Sequence, residues 1–100
     1  MTAIVVTEAA GRSLAALIDS HSLPPDTAAR IRRALLPLER FPLLGPALDP
    51  ESSELRFLLG PWRWLVIVYT YRAADQIVAV VTFEDGRSAR SVTTTRHRAP

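Results

Sequence analysis

Arg56, Arg63 and Arg87 stand where three consecutive apolar stretches begin or end: SELRFLLG, PWRWLVIVYTYR and QIVAVVTFEDGR. A guanidinium is a fixed planar fork that pairs bidentately with phosphate or carboxylate and keeps its charge at any physiological pH. Three such groups on one antiparallel sheet make a surface suited to polyanions, and the sequence predicts that they converge on one accessible patch. The 12 basic residues of the chain are all arginine, while the net charge is only +2. A GC-rich coding bias explains the missing lysines; it does not explain where the arginines sit.

Two tryptophans flank Arg63. On a strand from Trp62 to Tyr71, residues two apart share a face, which groups Arg63, Leu65, Ile67, Tyr69 and Tyr71 against Trp62 and Trp64. Trp64 reads as core packed under helices, and Trp62, at the turn, as partly exposed. An aromatic beside an arginine is also a stacking platform for a nucleobase, worth about 1–3 kcal/mol per base.

Other chemistries are excluded by what is missing. With no cysteine there is neither a disulfide framework nor a thiolate metal site. The histidines, His21 and His97, are far apart and lack a third ligand at metal spacing, so neither a metal nor a cofactor is expected. The apolar runs are far shorter than the roughly 18 residues of a membrane span. MTAIVV lacks the basic start of a secretory signal, so a cytoplasmic protein is expected.

The elements that position the arginines follow from pattern. Ala3 to Thr7 is β-branched and starts a sheet. Thr7 caps a helix that carries Glu8 in its first turn and Ala10, Leu14, Leu17 and Ile18 on its apolar stripe, up to about Ser20. Leu23-Pro-Pro ends that helix, and Asp26 caps a second one with Ala28, Ile31, Leu35 and Leu38 as its buried stripe. Pro37 removes a backbone donor there and predicts a kink or a terminal turn. Arg30, Arg32, Arg33 and Arg40 are left to face water or a partner. Phe41-Pro-Leu-Leu-Gly45-Pro is a stiff apolar connector. In the next strand Leu55, Phe57 and Leu59 alternate with Glu54, Arg56 and Leu58, giving one buried and one more polar face. The two following strands, joined by a hairpin at Ala73–Gln76, are apolar on both faces and belong inside the sheet. The predicted fold is α+β, in the order β-α-α-β-β-β, with an antiparallel sheet packed on two N-terminal helices. It fills one domain over residues 1–90, followed by a polar, flexible tail over 91–100.

This order of elements resembles the RelE/ParE family of bacterial type II toxins. The likeness is carried by Leu38-Glu-Arg-Phe41-Pro-Leu-Leu-Gly45, Leu55-Arg56, Gly60-Pro-Trp62-Arg63 and Val80-Val-Thr-Phe-Glu-Asp-Gly86-Arg87. The resemblance implies a toxin that arrests growth when free and is neutralised by a cognate antitoxin. ParE-like members inhibit DNA gyrase; RelE-like members cut messenger RNA on the ribosome without a metal.

In the ribonuclease branch, Arg56 and Arg63 match phosphate-binding positions, Arg87 matches a basic residue beyond the last strand, and Glu54 is the candidate carboxylate base. Where that branch often has a lysine, histidine or tyrosine, this chain reads Phe83, Glu84 and Asp85. No proton-transfer pair is visible, and arginine does not give up a proton near neutral pH. A protein target such as gyrase is therefore the first expectation and ribosome-bound mRNA the alternative. For antitoxin docking the candidates are Arg30, Arg33, Arg40 and Trp62, on a basic surface that an acidic partner segment would cover.

Overall fold

In the computed structural model, residues 1–87 are described; the tail at 91–100 and His97 lie outside them. The elements are β1 (Ala3–Val6), α1 (Glu8–His21), α2 (Thr27–Leu35), a 3₁₀ turn (Leu36–Glu39), β2 (Ala47–Asp49), β3 (Ser52–Leu59), β4 (Leu65–Arg72) and β5 (Ile77–Asp85). The strands form one sheet in the order β1-β5-β4-β3-β2. The α+β class therefore stands, with two refinements. β1 pairs parallel to β5, because the two helices form a crossover between the chain's first strand and the rest. β2 is an additional short edge strand next to β3.

Both central strands are those expected to be buried on two faces. On the helix side lie Leu65, Ile67, Tyr69, Val78, Val80 and Phe83, with Ala10, Ile31, Leu35 and Leu38 from the helical layer. The other face carries a smaller cluster of Leu48, Val66 and Val68, with Leu55, Phe57 and Val81 packed against it. A bulge makes this partition possible. Ile67 pairs with Phe83 and Tyr69 with Val80, so an extra residue in β5 brings Val80 and Phe83 to the same face. α1 then fastens to β5 across this irregularity. The Phe83 amide donates to Ser13 Oγ at 2.9 Å, and Thr7 Oγ1 donates to the Val80 carbonyl at 2.9 Å.

Local signals explain the helices. Thr7 Oγ1 accepts from the Ala10 amide at 3.1 Å, the cap its position predicts. Asp26 makes no such cap bond; its carboxylate instead accepts from Arg30 Nε at 2.9 Å. Pro37 lies in the 3₁₀ turn that ends α2, the terminal turn its missing donor predicts. Ala28 is exposed and Thr27 is the buried residue of that first turn, a correction to the predicted stripe. Thr27 Oγ1 donates to the Pro24 carbonyl at 2.6 Å, so its hydroxyl is satisfied inside.

Two strand expectations also change. Trp62, Arg63 and Trp64 precede β4 rather than opening it. Gly60 N donates to the Leu65 carbonyl and Leu65 N to the Trp62 carbonyl, closing a loop around Pro61 that holds all three residues. Freed from strand alternation, Trp62 and Trp64 both pack on the helix-side core instead of facing away from Leu65 and Ile67. In β3, Leu58 packs on the helix-side core while Leu59 is exposed at the strand end, so the even-numbered face is not simply polar. No helix among the described residues is long and apolar enough to cross a membrane.

Candidate functional site

The end of the sheet where β4 begins and β5 finishes gathers side chains from four places in the chain. α1 ends with Ser22 in the left-handed conformation, which leaves His21 in the last turn, where the helix dipole favours positive charge. β5 runs to Asp85, paired with Leu65 at the start of β4. The Gly60–Trp64 loop brings in the tryptophans, and α2 supplies Arg30.

At the centre is the Asp85 carboxylate, only 16% exposed. His21 Nε2 lies 2.9 Å from its Oδ2, and Ser20 Oγ lies 2.8 Å from His21 Nδ1. A neutral ring with its proton on Nε2 therefore donates to Asp85 and accepts from Ser20, which occupies both nitrogens. Arg87 grips the same carboxylate, Nε to Oδ1 and Nη2 to Oδ2, each at 3.1 Å. The Arg87 hydrogen bonds, joined by that of His21, hold the Asp85 carboxyl far below the usual carboxylate range against the opposing effect of burial.

A stack of flat groups borders this carboxylate. The His21 ring lies on Trp64 with centroids 4.7 Å apart and planes 13° apart, and Trp62 stacks on Trp64 at 5.9 Å. Arg87 sits over Trp64 at 5.2 Å, and Arg30 over Trp62 at 5.9 Å. Cations over indole faces are favourable by about 0.5–1 kcal/mol at exposed sites. The rungs thus bind one another, joining α1, α2, the β3–β4 loop and the end of β5.

Arg63, at the tip of the same loop, is exposed and has no hydrogen-bond or ion-pair partner among the described residues. Arg63 and Arg87 therefore belong to the same end of the sheet. Arg56 does not join them. It pairs with Tyr69, four residues along β4 from Leu65, which is about 13 Å along the strand. Its Nη1 donates to the carbonyls of Gly45 at 2.8 Å and Leu43 at 3.4 Å, and Tyr69 Oη accepts from the Gly45 amide at 2.9 Å. Arg56 and Tyr69 thus clamp the connector from beneath. Burial pushes the Tyr69 hydroxyl up from its usual pKa, partly offset by the Gly45 bond and the Arg56 charge.

Glu54 is exposed on β3, and the predicted partner residues divide. Arg30 and Trp62 meet in the stack, whereas Arg33 and Arg40 are exposed without an ionic partner among the described residues. The clamped connector holds Phe41, Leu43 and Leu44 more than half exposed. Sequence reasoning missed His21 and Asp85 as a pair. The only available signal was their placement at the ends of two apolar elements, which does not reveal that those ends meet. No group of three or more potential metal ligands occurs among the described residues.

Comparison with known proteins adds no assignment: no family model and no curated protein matches this chain.

Proposed function

We propose that this chain is the toxin of a type II toxin–antitoxin module, and that it arrests growth by binding a protein target such as DNA gyrase. The order of strand, two helices and a strand meander supports the toxin reading. The mode of action rests on one observation: of the groups a nuclease would use, Arg56, Arg87 and His21 are engaged with the protein itself. Arg56 holds the connector, Arg87 holds Asp85, and both His21 nitrogens have partners. Arg63, exposed and without a partner among the described residues, remains as a contact for a target surface. Induced expression in a bacterial host should arrest growth, and the purified protein should inhibit supercoiling by gyrase. Growth arrest with unimpaired supercoiling would remove the gyrase target.

A second reading, a ribosome-dependent ribonuclease, is favoured by the contact between His21 and Asp85 beside Arg87. It supplies an imidazole next to a guanidinium, where the sequence offered only Glu54 as a candidate base. Primer extension on translated message should then show cuts that vanish in both His21→Ala and Arg63→Ala. Intact message on active ribosomes eliminates this reading.

A further inference from the structure

Phe41, Leu43 and Leu44 of the connector are each more than half exposed, and Leu36 of the 3₁₀ turn is nearly half exposed. Thr2 N donates to the Glu39 carbonyl at 3.1 Å, which sets the exposed Met1 beside the same turn. Phe41 to Leu44 line a shallow depression together with Tyr71 of β4. A contiguous apolar surface of this kind marks a contact with something outside the chain.

The backbone beneath those side chains narrows what that partner is. Pro42 and Pro46 have no N–H to offer. Phe41 N donates to the Pro37 carbonyl at 2.9 Å, Leu44 N to the Phe41 carbonyl at 3.0 Å and Gly45 N to Tyr69 Oη at 2.9 Å. Arg56 occupies the carbonyls of Leu43 and Gly45, and Phe57 N that of Pro46. A peptide that docks by strand addition needs free backbone groups. A lipid surface favours backbone that is already satisfied internally. These bonds fit the connector for the second medium. The clamp of Arg56 and Tyr69 also sets its shape beforehand, so little is lost in ordering it on contact.

Charge selects the kind of lipid. Arg33 and Arg40 are exposed and have no ion pair among the described residues. They stand three positions before and four positions after Leu36, a spacing that puts all three on one side of the helical segment. Glu39, the acid of that turn, is partly buried. Cations beside an apolar tip match the headgroups of an anionic bilayer, where each arginine raises partitioning about fivefold.

We propose that this face lies on an anionic lipid surface, with Phe41, Leu43 and Leu44 inserted where headgroups meet acyl chains and with Arg33 and Arg40 against lipid phosphates. The contact is interfacial, about 5–10 Å deep, and requires no membrane span. It is independent of the toxin reading.

The probe is a vesicle of equal parts phosphatidylcholine and phosphatidylglycerol, with binding measured by co-sedimentation. Wild-type protein should bind it reversibly, and at least tenfold more weakly when the vesicle is phosphatidylcholine alone. The double variant Phe41→Ser with Leu43→Ser should weaken binding at least tenfold, and so should Arg33→Glu with Arg40→Glu. Leu59→Ser removes an exposed leucine at the sheet end that holds the Gly60–Trp64 loop, and should stay within twofold. All these variants should melt as the wild type does. Wild-type protein that ignores the anionic vesicle overturns the inference. Binding that the serine variant leaves unchanged reduces the contact to surface charge and overturns the insertion. Without lipid, a dimer that the serine variant dissociates assigns the tip to a second copy and overturns it too. Vesicles left unbound, while the serine variant loses inhibition of gyrase, assign the tip to a protein surface. Growth arrest does not enter these readouts, so failure here leaves the toxin reading in place.

Discussion

His21 Nε2 and Asp85 Oδ2 are 2.9 Å apart across 64 positions of sequence, and that contact joins the last turn of α1 to the last residue of β5. It is long-range, mostly shielded from solvent on the carboxylate side, and shared with Arg87. Its strength therefore depends on the charge of Asp85.

Asp85 predicts an acid-side loss of stability. Its folded carboxyl is held below the ordinary value near 3.8, chiefly by Arg87 and then by His21. A depressed carboxylate stabilises the fold fully above the unfolded value and progressively less as pH falls through the folded one. Melting temperature should thus decline below about pH 4, and Asp85→Asn should flatten that decline. At neutral pH the variant should lose about 1.5–3 kcal/mol, the range for hydrogen bonds to a charged group. Chemical denaturation at pH 7 and pH 3 measures both effects. An unchanged pH profile in the variant would remove Asp85 as the source.

The clamp under the connector predicts an alkaline effect. Burial raises the Tyr69 pKa, and a group kept neutral by the fold loses stability as pH rises past its unfolded value near 10. Tyr69→Phe should abolish that alkaline loss. It should also cost about 1–3 kcal/mol at pH 7, because the Gly45 amide is left buried without an acceptor. Denaturation curves at pH 8 and pH 11 for the two proteins separate these contributions.

Gly45 itself tolerates no side chain. A Cβ at this position would run into the Phe57 carbonyl oxygen and lie 2.9 Å from Tyr69 Oη. The first obstacle is backbone in β3 and cannot swing aside. Gly45→Ala should therefore destabilise by about 2 kcal/mol or more, as overpacking does. Gly11→Ala, where nothing lies within 4 Å, should stabilise α1 by about 0.5–1 kcal/mol. The two substitutions are chemically identical, so their opposite signs in a melting experiment would isolate the close packing at Gly45.

Much of this architecture was legible in the residues. Apolar runs on both faces identified β4 and β5 as interior strands, and Thr7 and Pro37 marked where α1 starts and α2 stops. What stayed hidden depends on contacts between distant segments. The five-residue loop around Pro61 removes Trp62 to Trp64 from the strand, and no periodicity reports that. The bulge that returns Phe83 to the helix face likewise defeats simple alternation. For the site, sequence predicted one arginine patch. The structure places Arg63 and Arg87 at one end of the sheet and engages Arg56 with the connector, a role set by the fold of residues 43–45 rather than by anything beside Arg56 in sequence.

Arg63 and Arg87 then provide the sharpest comparison. Both are exposed arginines at the same end of the sheet, yet among the described residues only Arg87 has partners, the Asp85 carboxylate and the Trp64 face. Arg63→Ala removes no hydrogen bond or ion pair with the described residues, so its stability should stay within about 0.5 kcal/mol of wild type. Arg87→Ala should lower the melting temperature, because Asp85 then keeps only His21 as a side-chain partner among the described residues. If Arg63 contacts a target, Arg63→Ala should weaken growth arrest while leaving the melting curve in place. Arrest at full strength with Arg63→Ala would assign the target contact elsewhere, and a lowered melting temperature would show that Arg63 supports the loop after all. Calorimetric melting and a growth titration with graded inducer, run on the same two variants, give both answers.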